Sequence, residues 1–402
     1  MEGHCLMIDR PYYIDWLKRW RDKDLIKVAS GMRRAGKSTI MELFQKNLLE
    51  SGVCSSNIIS INFESFEEEY PLAHKELYRY VVQRLAPTGT NYVFLDEVQH
   101  VNQFEKVVAA LNVHNDIDLY ITGSNAYYLS GELATLLTGR SLEIHVTPYS
   151  FKEYSSAQPE LTKDEAFQRY LIYGGLPYGA TLTNDRDITQ YLEGVFSTIF
   201  VKDIATRRPR MDMNAFTRTA SFLADNVGNI SSIRSIANAQ SASKENVSQG
   251  AVNEHIDSLT ETYLAYKVSR YDLKGKAYLQ TMEKYYLGDL GFRYWLLRKS
   301  LDDVGRRLEN VVYLELIRRY THVDIGKQGT KEIDFVARRG SEVHYFQVAQ
   351  TALDEKTLRR ELEPLQKQRD SHPKKLLTLD RIGTGSADGI EHINLIDWLL
   401  EA

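Results

Sequence analysis

The sequence predicts an α/β fold whose first part is a parallel sheet covered by helices on both faces. Three observations carry that prediction. Short apolar runs alternate with helical stretches from Leu25 to Pro148. The glycine-bounded loop Gly31-Met32-Arg33-Arg34-Ala35-Gly36-Lys37-Ser38 stands between one such run and a helix. The run YVFLDEV (92–98) ends in two adjacent acids. In chain order, residues 11–22 place Tyr13, Trp16, Leu17 and Trp20 at helical spacing. DLIKVAS (24–30) then leads into the glycine loop, and STIMELFQKNLLES (38–51) is helical. NIISINFES (57–65) is a strand, KELYRYVVQRLAP (75–87) a helix and YVFLDEV a strand. FEKVVAALNVH (104–114) is a helix, and LYITGS (119–124) and LEIHVTP (142–148) are strands. From Phe151 to about Ala205 the pattern is mostly helical, broken by YGGLPYG (173–179).

The chain has 402 residues, too many for one small core, with 43% hydrophobic and 26% charged residues, ordinary values for a globular protein. A net charge of −4 excludes a uniformly basic nucleic-acid binder, so any such surface is local. Two cysteines, Cys5 and Cys54, lack metal-ligand spacing. No apolar run is long enough to span a bilayer, and the first residues lack the pattern of a signal peptide. The expectation is a cytoplasmic protein without a membrane partner. The 25 tyrosines are scattered and read as half-buried packing.

The loop at 31–38 matches G-x-x-x-x-G-K-[ST] without a mismatch, between a strand and a helix. Gly31 and Gly36 permit a turn that aims backbone amides at a phosphate, and the helix start adds its dipole. Lys37 is expected to reach the β- and γ-phosphates, and the Ser38 hydroxyl to ligate Mg²⁺. Arg33, Arg34, Ala35 and Thr39 complete the expected phosphate cradle. Asp96 is expected to hold the Mg²⁺ shell, and Glu97 to polarise an attacking water as general base. After the next strand, Ser124 or Asn125 is a candidate to sit beside that water. Arg140, in LLTGR (136–140), is a candidate to reach a γ-phosphate in cis or across a subunit interface.

Farther on, NISSIRSIANAQ (229–240) and VSQGAVNEHIDSLTETY (247–263) read as helix, turn, helix. A hairpin follows: AYKVSRYD (265–272), the turn Leu273-Lys274-Gly275-Lys276, then AYLQ and KYYLGD. This order is the winged-helix layout. Ser248, Gln249, Asn253 and His255 are the residues its second helix would offer to a groove, with Arg270, Lys274 and Lys276 on the wing. Glu254, Asp257 and Glu261 on the same helix would repel phosphates. Lys202, Arg207, Arg208 and Arg210 form a stronger electrostatic candidate. In the tail, VVYLELIRRY (311–320) is a helix and KEIDFVARR (331–339) and EVHYFQVAQ (342–350) are strands. The charged stretch 353–369 is a helix, and KKLLTLD (374–380) a strand. An acid on a helix (Glu309 or Glu315), Asp334 on a strand, then Gln347 resemble a restriction-endonuclease-like core. Its usual lysine position is Ala349, and Gln350 cannot replace an ammonium. The tail is therefore expected to keep that fold and to lack cleavage chemistry.

GMRRAGKS, FLDEVQ, ITGSN and ELATLLTGRSLEIHVTPYSFKEY (132–154) together resemble a large prokaryotic family within the AAA+ ATPase superfamily. Its members often carry a C-terminal domain of unknown function. YGGLP (173–177) and the tail strands fit the resemblance too. It implies that Arg33 and Arg34 are family features, touching phosphate, a neighbouring subunit or a bound anion. It also implies that Arg140 is an arginine finger and that Gly174-Gly175 begins a helical lid. The expected organisation is a P-loop AAA+ core (1–155), a helical lid (156–210), a winged helix (211–300) and a nuclease-like α/β domain (301–402). The expected function is Mg²⁺-dependent binding and hydrolysis of ATP, acting on DNA, branched or junction DNA included, in a homo-oligomer. The alternative is a nucleotide-dependent switch whose C-terminal domains bind protein partners.

Overall fold

The computed structural model describes residues 8–65, 70, 73–126, 139–241, 247–275, 277–278, 282–298 and 302–401. The chain divides into two units, Met1–Thr147 and Pro148–Ala402.

In the first unit, helix α1 (Pro11–Trp20) starts on a proline, which suits a first turn, and buries Tyr13 and Leu17. Five parallel strands follow: β1 (Ile26–Ser30), β2 (Ile58–Asn62), β3 (Asn91–Asp96), β4 (Ile117–Gly123) and β5 (Ser141–His145). Their order is β2-β3-β4-β1-β5. Helices α2 (Lys37–Glu50), α3 (His74–Val82) and α4 (Phe104–Leu111) connect them. Strands β1 and β3 are buried along their whole length, which suits the apolar residues at their centres, Val28 and Ala29 in β1 and Tyr92 to Leu95 in β3. Val28, Val93, Leu95 and Ile121 pack with Leu77, Val81, Val107 and Leu111 in one core. Register sets Ser30 opposite Gly123 and Leu95 opposite Ile121, so the carboxyl ends of β1, β3 and β4 lie side by side. Nearer the amino ends, fully buried Lys27 pairs with Asp118 and donates to the Lys23 carbonyl at 2.8 Å.

The second unit opens with helices α5 (Phe151–Ser156), α6 (Lys163–Tyr173), α7 (Pro177–Ala180) and α8 (Asp185–Thr198). Helix α8 continues as a wider π-helical turn to Ala205. Reciprocal Ser-Glu and Thr-Glu capping boxes start α5 and α6. The middle of the chain forms α9 (Met213–Asp225), β6 (Ile230–Ser231), α10 (Ile233–Ser241), α11 (Gln249–Glu261) and β7 (Ala265–Val268). Then come β8 (Arg270–Asp272), β9 (Ala277–Tyr278) and β10 (Glu283–Leu287). Strands β6, β10 and β7 make a small antiparallel sheet.

The hairpin differs from its expected form. Strand β7 pairs with β10, whereas β8 pairs with β9 and continues into a larger sheet through β11 (His322–Gln328). The break falls at Ser269, whose carbonyl accepts from Ile325 N at 3.0 Å, so the strand leaves one sheet for another. Lys276 lies outside the described residues. The larger sheet also contains β12 (Lys331–Arg339), β13 (Glu342–Val348), β14 (Lys374–Thr378), β15 (Gly385–Ala387) and β16 (Ile390–Asn394). Its order is β15-β16-β14-β13-β12-β11-β8-β9. Helices α12 (Leu290–Leu296), α13 (Val304–Arg319), α14 (Glu355–Gln366) and α15 (Leu395–Leu400) complete the unit. Glu315 on α13 is consumed by Arg318 and Arg319, at 2.9 and 2.7 Å, which leaves Glu309 as the helix acid near Asp334.

Asp289, just before α12, accepts from Gly175 N at 2.7 Å and Gly291 N at 2.8 Å. It thereby ties the Gly174-Gly175 turn to α12. Burial pushes its carboxyl up to about 7 despite those backbone donors. The native state therefore binds a proton that the unfolded chain releases near pH 4, and stability falls as pH rises from about 4 to about 7. The urea midpoint of the wild type is expected to rise as pH is lowered from 8 to 5.5. Asp289→Asn removes that part of the rise, and an identical pH dependence in both proteins would overturn the assignment.

Candidate nucleotide site

Strand β1 delivers the chain into the loop at Gly31, where φ is 145° and a Cβ would lie 2.0 Å from the Val146 carbonyl oxygen. No side chain fits there. Gly36, with φ of 97°, makes the second turn directly before α2. The two arginines between them part ways. Arg34 is exposed, with a left-handed φ of 67°. Arg33 is buried, and its Nη1 lies 2.5 and 2.7 Å from the two carboxylate oxygens of Glu64, just past β2. His100 Nε2 approaches the same carboxylate at 3.4 Å. Arg10 supports the loop from outside: it donates to the Ala35 and Thr147 carbonyls at 2.8 and 2.9 Å and covers the Tyr13 ring.

Lys37, Ser38, Asp96 and Glu97 come together at the carboxyl edge of the sheet. The Lys37 ammonium donates to the Gly31 carbonyl at 3.0 Å and pairs with Glu97 Oε1 at 3.2 Å, both side chains being under one-tenth exposed. The Thr122 hydroxyl donates to the Asp96 carboxylate, and the Ser38 hydroxyl lies close enough to favour its charged form. Ser124 Oγ donates to Glu97 Oε2 at 2.9 Å, and Gln99 Nε2 donates to the same oxygen at 2.5 Å. Glu97 holds a left-handed φ of 56°, and Thr122 Oγ1 accepts from its backbone N–H at 2.9 Å. A glutamate in that backbone region is strained, and strain of this kind collects at functional sites.

The adjacent acids are pushed in opposite directions. Burial, then the neighbouring Glu97 charge, raises the Asp96 carboxyl above its ordinary range despite the Ser38 and Thr122 hydroxyls. Burial also works against Glu97, but Lys37, Arg33 and the Gln99 bond outweigh it and hold Glu97 below its ordinary range. A cavity of about 40 Å³ beside Asp96, lined by Ser38, Glu42, Asn62 and Thr122 among others, has room for water.

Of the remaining residues singled out in the sequence, Ala35 is buried in the loop and Thr39 half-buried in α2. Asn125 is buried after β4, next to Ser124. Arg140 is not brought to the loop. It precedes Ser141, which pairs with Ile26 at the amino end of β1, and its side chain is exposed. Five parallel residues separate it from the loop edge, roughly 16 Å at strand spacing. Arg10, Glu64 and Gln99 were not legible in the sequence, because each reaches the site from a distant or polar, irregular segment.

Removing Arg33 takes away a charge that holds Glu97 ionised. In Arg33→Ala the Glu97 carboxyl, followed by isotope-edited infrared titration, is expected to titrate at a higher pH than in the wild type. An unmoved titration would show that Arg33 serves Glu64 alone.

Comparisons with known proteins place these features. Residues 23–155 match the model of an AAA domain, and residues 164–303 match a domain of unknown function, DUF8612. An uncharacterized protein of Haemophilus influenzae is 38% identical over 98% of this chain and 99% of its own length. An uncharacterized protein of Methanocaldococcus jannaschii is 28% identical over 80% of this chain and 71% of its own length. Among solved structures, a Walker-type ATPase of Pyrococcus abyssi shares the fold at a TM-score of 0.50 and 15% identity, over 72% of this chain and 96% of its own. The parallel five-stranded sheet and its glycine loop agree with these matches. With a relative so similar along its full length, the protein belongs to the family of that Haemophilus influenzae chain, a family of P-loop AAA+ fold.

Proposed function

We propose that this protein binds ATP with Mg²⁺ on its glycine loop and hydrolyses the terminal phosphoanhydride bond. The observation that carries the proposal is the buried meeting of Lys37 with Glu97, beside the small cavity that Ser38 and Asp96 line, at one edge of the sheet. Residues 31–39 would cradle the phosphates: the loop turn at Gly31 and Gly36 aims backbone amides inward, and Arg33, Arg34, Ala35 and Thr39 flank Lys37 and Ser38. Ser38 and Asp96 fit a hard cation, because a hydroxyl and a carboxylate meet there next to a cavity with room for water. Bound Mg²⁺ would neutralise phosphate charge. Glu97, ionised and held by Ser124 and Gln99, accepts a proton from water, and Asn125 helps to place that water. Arg140, at the opposite end of β5, acts on a neighbouring subunit's nucleotide in a homo-oligomer.

For the output of hydrolysis, the middle segment supports two readings. Its three helices and the sheet β6-β10-β7 follow a winged-helix order, which supports DNA as the target. The charges favour a switch that docks a protein partner. His255, expected in a groove, is buried against Thr219 at 2.7 Å. Arg207 and Arg208 are spent on Glu261, at 2.9 and 2.7 Å. The exposed face of α11 presents Glu254 and Asp257, which repel phosphates.

Lys37→Ala is expected to lose nucleotide binding. Glu97→Gln keeps it and lowers turnover about 100-fold or more, since an amide is a poor base; equal turnover would sink the Glu97 role. Arg140→Ala mixed with Lys37→Ala is expected to regain hydrolysis if Arg140 serves a neighbour, and no rescue removes that role. Turnover measured with single-stranded, duplex and four-way-junction DNA at two salt concentrations separates the outputs. A flat response with no binding is expected for the docking switch; salt-sensitive stimulation establishes DNA instead.

A further inference from the structure

The acidic cluster of the large sheet contains its own cation. Asp334 on β12 lies across from Gln347 on β13, one step from the paired Phe335 and Phe346. Glu309 on α13 and Glu361 on α14 act on Asp334 electrostatically. Lys284, on β10, is only 4% exposed. Its ammonium lies 2.5 Å from Glu332 Oε1 and 3.2 Å from Glu309 Oε1. It is also near enough to Asp334 for its charge to oppose the burial and the Glu309 charge that disfavour ionisation there. Tyr286, two residues on, donates to the same Glu309 oxygen at 2.5 Å. Asp334 Oδ2 accepts from Val348 N at 2.9 Å.

Gln347 belongs to the same arrangement. Its carbonyl oxygen accepts from Asp334 N at 3.3 Å and its amide donates to Glu361 Oε2 at 3.0 Å. A carboxylate at 347 has no proton to donate and would set like charge against Glu361. Buried carboxylates set close together need a cation or a proton to offset their repulsion. Here an ammonium does so, and with it in place no three His, Cys, Asp or Glu side chains among the described residues are grouped to hold a metal.

We propose that Lys284 is a resident cation occupying the place that a divalent metal would take between Glu309, Glu332 and Asp334, which closes this acidic cluster to Mg²⁺. The lysine is supplied by β10, a strand of the small sheet with β6 and β7. A strand outside the large sheet, lying in the chain between two strands of it, therefore provides the plug. The cluster serves as an ion-paired joint between the small sheet and the large one, and not as a metal-dependent hydrolytic site.

The test is Mn²⁺ uptake by nucleotide-free protein, read by electron paramagnetic resonance, in an Asp96→Asn background that silences the nucleotide site. The parent is expected to show no saturable uptake. Adding Lys284→Met, which keeps the length of the buried stem, is expected to tighten Mn²⁺ binding at least about tenfold, the carboxylates then lacking a counter-charge. Further addition of Asp334→Asn abolishes the gain. Two results overturn the proposal: saturable uptake by the parent that Asp334→Asn removes, or a folded Lys284→Met protein that takes up no more Mn²⁺ than the parent. If Lys284→Met does not fold, the parent decides. Uptake removed by Asp334→Asn then refutes the resident cation, and no uptake upholds it.

Discussion

A charge taken out of water must find an opposite charge or give up its proton, and this requirement shapes both units of the protein. Lys37 is buried at the head of α2 and meets Glu97. Nearer the amino ends of the same sheet, Lys27 meets Asp118. In the second unit Glu315 takes Arg318 and Arg319, while Lys284 takes Glu309 and Glu332. Breaking one partner of such a pair costs about 3–5 kcal/mol, because the other is left buried and uncompensated. Where its two members sit on different elements, as in the three lysine pairs, the pair therefore fixes the relative positions of those elements. The Lys37–Glu97 pair holds the loop end of α2 against the end of β3, which is what a phosphate site requires of them.

The same requirement explains why two adjacent acids at the end of β3 differ. Asp96 faces hydroxyls and a small polar cavity, so burial and its charged neighbour raise it. Glu97 faces an ammonium and a guanidinium, which hold it ionised. Two carboxyl groups with environments that separate their protonation can divide two tasks between them. Backbone geometry enforces the separation. The left-handed turn at Glu97 swings its side chain away from that of Asp96, toward Lys37, Ser124 and Gln99. The two arginines of the loop follow the same logic. Arg33 turns inward because Glu64 receives it, whereas Arg34 has water.

Sequence order by itself determined the local and periodic features: the parallel sheet, the glycine loop, the acids after β3, and the strand pair carrying Asp334 and Gln347. These depend on backbone freedom at glycine, on apolar runs filling a sheet buried on both faces, and on side-chain alternation, all of which are written in neighbouring residues. Tertiary structure decided which charges meet. Nothing in the spacing of Arg33 and Glu64, or of Lys284 and Glu309, announces a contact, since an ion pair depends on how separate elements pack. It also decided that His255 is a buried partner of Thr219, that Arg140 stands at the far end of β5, and that the hairpin crosses from one sheet to another at Ser269. Strand β11, HVDIGKQ, was hidden for a related reason. Its interior glycine weakens strand propensity, and it is a strand because β12 pairs with it on one side and β8 on the other.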